Sequence, residues 1–169
     1  MFETFTQPAR EAIVRAQHEA AGMGHREVQV EHLLLGLCSD GHDIVGRLLA
    51  DFGLSILAVR GIVRELGVSR GSHPEGQIPF SPAAKDSLRS AYRLGLGEPG
   101  TEHILIALVA RGEGSVSEIL RTFGADPNKV RFETKKRVAQ SRRAGLSAGP
   151  RGQVRGAVRE ILGELDFGD

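Results

Sequence analysis

Apolar residues recur at helical spacing along most of the range 1–138. After Thr6, a residue type that suits a helix N-cap, they are separated by three or four positions. In the first half of the chain, this pattern covers residues 6–22, 29–38, 44–53 and 55–66. No segment shows the sustained alternation of apolar and polar residues that is typical of a strand. The pattern therefore predicts four helices in the first half and an all-α fold.

The second half of the chain repeats the first. The run Glu-His-Leu-Leu-Leu-Gly-Leu at 31–37 returns as Glu-His-Ile-Leu-Ile-Ala-Leu at 102–108, and the Phe-Gly of 52–53 returns at 123–124. Four short helices alone bury little apolar surface, so two such halves are expected to share one core. The repeat thus predicts eight helices in two similar four-helix halves related by a pseudo-twofold axis.

The offset between matching positions changes within the second half. Ala91 matches Ala16, and His103 matches His32. The interval from Ala91 to His103 is therefore four residues shorter than the interval from Ala16 to His32. Four residues are therefore missing before Thr101, and we expect a shortened loop in front of the second copy of the motif. Further along, Ser115 and Glu118 have the form of a capping box, which predicts that Ser115 caps the seventh helix.

The composition of the chain predicts two regions. A double-repeat domain spans 1–138, with the first repeat at 5–66, a connector with Gly and Pro at 67–79 and the second repeat at 80–138. A basic tail rich in Gly and Arg spans 139–169. Apolar spacing predicts one last short amphipathic helix at 153–165, which either docks on the body or meets a partner.

The overall composition is that of a soluble globular protein, with 40% hydrophobic and 25% charged residues. No apolar run approaches the roughly 20 residues that span a membrane, and the first residues lack the features of a signal peptide. A single cysteine, Cys38, cannot form an internal disulfide, which agrees with a reducing compartment. We therefore expect a cytoplasmic protein with no membrane partner.

A net charge of +1 neither favours nor excludes a nucleic-acid partner, but the charge is unevenly distributed. Residues 134–159 contain eight Lys or Arg and no Asp or Glu. A solvated helix end that runs into a linker explains such a segment best. A nucleic-acid or membrane contact is the competing hypothesis.

The doubled pattern resembles the Clp repeat N-terminal domain, the front end of the Hsp100 unfoldases ClpA, ClpB and ClpC. Residues 1–6 read Met-Phe-Glu-Thr-Phe-Thr and residues 78–85 read Ile-Pro-Phe-Ser-Pro-Ala-Ala-Lys. Both runs are similar to the ClpC type, whose chains tend to begin Met-Phe-x-x-Phe-Thr. The resemblance covers residues 1–138.

Sequence features of an ATPase are absent. A Walker A loop needs Gly-Lys-Ser/Thr, and none of the four lysines follows a glycine. Nothing arranges Ser, His and Asp as a catalytic triad, so we predict no enzymatic activity and no cofactor. The chain is then either a free-standing protein similar to a ClpC N-domain, which the basic tail favours, or the excised front domain of a full ATPase.

The glutamates of the duplicated motif are the first candidate site. Glu31 and Glu102 lie in the first turn of their helices, where the helix dipole alone favours a carboxylate. The resemblance implies a further role, because the matching glutamates of ClpC-like domains hold the guanidinium of phosphoarginine on tagged substrates. A carboxylate and a guanidinium form a planar bidentate pair. Thr101 keeps the family's hydroxyl, whereas the first copy has Val30.

A second candidate site consists of Phe2, Phe80 and Lys85. The resemblance implies that these positions line a surface that binds adaptors and some cyclic-peptide antibiotics. Two aromatic rings and a cation suit such binding. Alternatively, Phe2 and Phe80 pack within the repeats and Lys85 is only solvated.

The histidines do not form a metal-binding pattern, since no HExxH motif or cysteine cluster accompanies them. His32 and His103 occupy equivalent positions, which favours a buried, hydrogen-bonded structural role. The sequence thus leads to one main hypothesis. The chain is a monomeric, metal-free module that binds substrates, adaptors, phosphoarginine or cyclic peptides, as an accessory or decoy of the ClpC unfoldase. The competing hypothesis is a nucleic-acid-binding regulator that uses the basic tail.

Overall fold

The computed structural model describes residues 2–38, 43–66 and 78–148. A short 3-10 helix, Phe2–Thr4, opens the chain and was not expected. The α-helices of the described residues are α1 (Gln7–Gly22), α2 (Val30–Leu37), α3 (Ile44–Asp51), α4 (Ile56–Glu65), α5 (Pro82–Leu94), α6 (Thr101–Val109), α7 (Ser115–Thr122) and α8 (Pro127–Ala148). The predicted all-α class with eight helices is confirmed.

Side chains that precede the helices explain several of the helix starts. The hydroxyl of Thr6 accepts a hydrogen bond from the Ala9 amide, and the hydroxyl of Ser81 accepts one from Ala84. The expected capping box of α7 is wrong. Gly114, with φ of 92°, is the N-cap, and Ser115 is already the first helical residue.

The two copies of the motif form the centre of the fold. Every residue from Glu31 to Leu37 is buried, which is expected of a core helix that is apolar on nearly all sides. Helix α2 packs against α1, α4, α5, α6 and α7, and α6 packs against α1, α2, α3, α5 and α7. The leucines at the α2–α6 centre therefore belong to a core that both repeats share.

Each repeat begins against a loop of the other repeat. A parallel bridge joins Val28 to Phe80, with the Val28 amide donating to Pro79 at 2.8 Å and the Ser81 amide donating to Val28 at 3.0 Å. On the other side, the Thr6 amide donates to the carbonyl of Pro99 at 3.0 Å. Pro99 corresponds to Val28 but has no N–H group, so this side lacks the second bond.

The four-residue deletion shortens a helix more than it shortens a loop. Helix α1 has 16 residues and α5 has 13. The segments that follow, 23–29 and 95–100, differ in length by one residue. The expected short loop is therefore a small part of the change. Leu96, with φ of 48° and 94% of its surface exposed, lies in the resulting turn.

The chain divides into two compact units, Met1–Lys135 and Lys136–Asp169, and α8 runs across their boundary. Residues 139–148, expected to belong to the tail, are helical. Their Ala, Arg and Gln residues are good helix formers. The predicted helix at 153–165 and most of the connector, residues 67–77, lie outside the described residues.

Candidate ligand-binding site

Glu31 lies in the first turn of α2 with 9% of its surface exposed. Its Oε2 is buried and has no hydrogen-bond partner among the described residues. A buried carboxylate oxygen without a donor is costly, and a hydrogen-bond donor from a ligand would relieve that cost. Glu31 is therefore the candidate carboxylate that keeps an acceptor oxygen unused by the described residues.

Glu102 is arranged differently at the start of α6. Its carboxylate lies against Gly100, so closely that a Cβ at position 100 would clash with it. Its Oε1 is 3.5 Å from Nδ1 of His103, and that nitrogen accepts the Gly100 amide hydrogen at 2.9 Å. Because Nδ1 acts as an acceptor, it carries no proton, and the contact with Glu102 is not an ion pair. The Glu102 carboxylate is folded back against its own helix start.

A hydrogen bond between the repeats holds Thr101. Its hydroxyl donates to Oδ2 of Asp43 at 2.7 Å, while Oδ1 of Asp43 accepts the Gly46 amide hydrogen as the N-cap of α3. Sequence reasoning missed Asp43, although an Asp before an apolar periodic segment is a cap signal. In the other copy, Val30 corresponds to Thr101 and Gly114 to Asp43, and these side chains cannot form such a bond.

The histidines of the two motifs bond to the starts of their own helices. His32 Nδ1 accepts the Gln29 amide hydrogen at 2.9 Å, as His103 does with Gly100. His32 Nε2 lies 2.8 Å from Nδ1 of His25, and both histidines are buried. The network assigns the His32 proton to Nε2, which donates to His25. Burial, and then the neighbouring His25, lower the pKa of His32 to about 4.

Phe2 and Phe80 meet where the two repeats begin. Their ring centroids are 5.5 Å apart, and Phe5 lies 6.1 Å from Phe2. Both Phe2 and Phe80 are half-buried, so each packs inward and also leaves an edge at the surface. Lys85 is exposed in the first turn of α5. The structure thus brings the two aromatic residues together and leaves the lysine in solvent.

The remaining candidate groups are Cys38 and the possible metal ligands. Cys38 is 2% exposed, and burial raises the pKa of its thiol to about 12, which makes it unreactive at neutral pH. Within residues 2–38, 43–66 and 78–148, no group of three His, Cys, Asp or Glu residues is placed to hold a metal ion. In the same ranges, no helix is both long and apolar enough to cross a membrane.

The basic segment is described in part. Five of its eight cations lie on α8, namely Lys135, Lys136, Arg137, Arg142 and Arg143, and the other three lie outside the described residues. Lys136 and Arg137 take part in interactions of their own.

Comparison with known proteins agrees with this architecture. Residues 4–97 match the model of the Clp repeat N-terminal domain. The chain belongs to this family. It is 37% identical to the chaperone protein ClpC1 of Oryza sativa subsp. japonica, over 95% of this chain and 18% of that protein. It is 38% identical to the ClpA homolog CD4B of Solanum lycopersicum, an ATP-binding subunit of the Clp protease, over 88% of this chain and 17% of that one. Both relatives are chloroplastic, and the chain spans less than a fifth of their length.

Two solved structures have the same fold. The N-terminal domain of ClpD from Arabidopsis thaliana superimposes with a TM-score of 0.69 at 27% identity, covering 82% of this chain and 97% of that one. The Hsp104 N-terminal domain from Candida albicans, at 20% identity and a TM-score of 0.61, covers 77% of this chain and 88% of its own, and shares the fold. The family recognised from the duplicated motif is confirmed.

Proposed function

We propose that this Clp repeat domain is a non-enzymatic module that binds proteins and peptides of the Clp system. Substrates, adaptors and the ClpC unfoldase itself are the partners in this proposal, in which the chain acts as an accessory factor or a decoy. The buried, unpartnered Oε2 of Glu31 carries the proposal. A buried oxygen without a hydrogen-bond donor destabilises the folded state, and such groups are expected mainly at functional sites.

Phosphoarginine is the ligand proposed for the glutamates. A guanidinium presents several N–H donors in one plane and fits a carboxylate such as that of Glu31. The second copy, Thr101 with Glu102, is occupied by contacts within the domain, since Thr101 bonds Asp43 and Glu102 lies against Gly100. We therefore rank Glu31 above Glu102 as the stronger of the two sites.

Phe2, Phe80 and Lys85 are proposed as a second surface, which binds adaptors or cyclic peptides. The bridge to Val28 fixes the backbone of Phe80, whose ring packs against that of Phe2. Rigid aromatic anchors lose little conformational freedom on binding. The exposed Lys85 adds a cation on the same helix start.

Calorimetry with a phosphoarginine peptide tests the glutamate site. We expect Glu31→Gln to weaken binding at least tenfold and Glu102→Gln to weaken it less. Glu118→Gln is the matched control, since Glu118 is an exposed acid in the first turn of α7. The phosphoarginine proposal fails if the intact protein does not bind the peptide.

The aromatic surface has its own test, which uses a cyclic peptide directed at ClpC as the probe. Phe80→Ala should abolish its binding while binding of the phosphoarginine peptide persists. Equal binding to the wild type and to Phe80→Ala would exclude this surface.

A further inference from the structure

A groove of about 460 Å³ lies between α5, α6 and the turn that joins α6 to α7. Its lining includes Val30, Ser87, Ser90, Ala107, Arg111 and Gly114. Glu31, Thr101, Glu102 and the Phe2–Phe80 pair do not line it. The groove therefore lies mainly in the second repeat, with Val30 at the start of α2 on its wall.

The first repeat shows what occupies the equivalent helix crossing. There the half-buried Arg15 of α1 reaches α2, and its Nε donates to the carbonyl of Gly36 at 3.0 Å. Ser90 corresponds to Arg15 in the repeat, and Ala107 corresponds to Gly36. Both of these residues line the groove. The second repeat therefore keeps the carbonyl position but has lost the arginine that pairs with it.

At the crossing of α1 and α2 in the first repeat, a Cβ at Gly36 would clash with the backbone carbonyl of Ala12. In the second repeat Ala107 has a Cβ, and Ser87 stands in place of Ala12. Helices with larger residues at their crossing must pack farther apart. The shorter side chain at position 90 and the larger residues at this crossing are both consistent with the space that the groove occupies.

The charges and polar groups of the groove favour a cation. The carboxylates of Asp86 and Glu113 are exposed on its lining, against the single cation of Arg111. Asp86 already contacts Arg89 at 3.0 Å, but both side chains are more than half exposed, so the pair is weak and easily exchanged. The groove also includes the last turn of α6, where backbone carbonyls carry partial negative charge, and the first residues of α7, where backbone amides carry partial positive charge, so its preference for a cation depends on the two carboxylates.

We propose that this groove binds the unmodified arginine side chain of an extended partner segment, in the way that Arg15 occupies the first repeat. A guanidinium offers five donors, which the Ala107 carbonyl, the Ser87 and Ser90 hydroxyls and the Asp86 carboxylate can accept. Phosphorylation of that arginine would add negative charge next to Asp86 and Glu113 and weaken binding. This preference is opposite to the one proposed for Glu31.

The test is an NMR titration of the full chain with an acetylated, amidated Ser-Gly-Arg-Gly-Ser peptide. We expect shifts at the amides of Ser87, Ser90 and Ala107, and at least tenfold weaker binding when citrulline replaces the arginine. Ser90→Arg rebuilds the arrangement of the first repeat and should abolish the shifts. Thr122→Arg adds the same charge on the exposed face of α7 and should leave them unchanged.

Two further variants separate this proposal from its alternatives. Asp86→Asn changes only an exposed residue and should weaken binding about threefold, whether or not Ser90→Arg folds. Glu31→Gln should leave binding of this peptide unchanged even if it abolishes phosphoarginine binding. The proposal is overturned if no groove amide shifts, if citrulline binds equally, or if both Ser90→Arg and Asp86→Asn bind like the wild type.

Discussion

The hydroxyl of Thr101 donates a hydrogen bond of 2.7 Å to the carboxylate of Asp43, and the two residues belong to different repeats. The same carboxylate caps α3 by accepting the Gly46 amide hydrogen at 2.8 Å. One side chain thus fixes a helix start and a contact between the halves. The other copy, with Val30 and Gly114, has neither interaction, so this bond makes the two ligand-site candidates unequal.

Removing this carboxylate should cost more than removing the hydroxyl. We expect Asp43→Ala to lower the free energy of unfolding by about 2 kcal/mol, since a cap and a hydrogen bond to a charged group are both lost. Thr101→Val should cost about 1 kcal/mol, because the cap remains. Urea denaturation measures both. The double variant should lose less stability than the sum of the two single losses. A loss equal to that sum would show that the bond contributes nothing to stability.

Acid should destabilise the fold through His32. Its pKa is about 4 in the folded protein and 6.5 as the ordinary value, so the unfolded chain binds the proton more readily. The free energy of unfolding is then unaffected by this group above pH 6.5 and falls as the pH drops from 6.5 to 4. This lowering of the His32 pKa corresponds to a loss of about 3 kcal/mol in the free energy of unfolding. Urea denaturation across that pH range measures the slope.

The variant His32→Asn isolates the contribution of this histidine. An asparagine carbonyl can still accept the Gln29 amide hydrogen, but it has no proton to bind in this range. The variant should be less stable than the wild type at pH 7, and its stability should depend less on pH between 4 and 6.5. Identical slopes in the two proteins would contradict the assignment, as would an NMR titration of the His32 ring with a midpoint near 6.5.

Helical periodicity and the repeat were sufficient to predict the helices and the shared core. The period depends on which side chains are buried, and three apolar positions of the motif are buried in both copies: Leu33 and Ile104, Leu34 and Leu105, and Leu37 and Leu108. Details set by the backbone were not predictable in this way. Gly114, not Ser115, caps α7 because its φ of 92° suits glycine. The deletion before Thr101 was visible in the sequence, but not its distribution between helix and loop.

Within the candidate site, only those positions could be predicted that the sequence repeat marks by their residue type. The matching positions of Glu31 and Glu102 followed from the repeat, whereas their different surroundings depend on partners distant in sequence. Asp43 lies 58 residues from Thr101, and no local pattern connects them. The contact of Phe2 with Phe80 likewise required the fold, because it joins the starts of both repeats.

The ion pair of Glu19 and Arg60 occurs in one repeat. Arg60 contacts both carboxylate oxygens, at 2.6 and 2.8 Å, and this hydrogen bonding lowers the pKa of Glu19. The equivalent positions hold Leu94 and Arg131. Both partners of the pair are about one-quarter exposed, so a double-mutant cycle with Glu19→Gln and Arg60→Met should give a coupling energy of about 1 kcal/mol. A coupling indistinguishable from zero would show that solvent screens the pair.

Gly36 tests how closely α1 and α2 must approach. A Cβ there would clash with the carbonyl oxygen of Ala12 and crowd the Ala16 amide, and neither backbone atom can move without shifting a whole helix. We expect Gly36→Ala to lower the free energy of unfolding by about 2–3 kcal/mol, in spite of alanine's better helix propensity. Thermal or urea denaturation measures the loss.

Gly61→Ala is the matched control for that substitution. Gly61 is also a helical glycine, in α4, but its Cβ would meet nothing within 4 Å. Alanine should therefore stabilise the protein there by about 0.5–1 kcal/mol, because it restricts the unfolded chain and favours the helix. Opposite signs for the two substitutions would establish that close packing, and not backbone flexibility, requires Gly36. If Gly36→Ala were also stabilising, α1 and α2 could separate at little cost, and Ala107 would not explain the groove between α5 and α6.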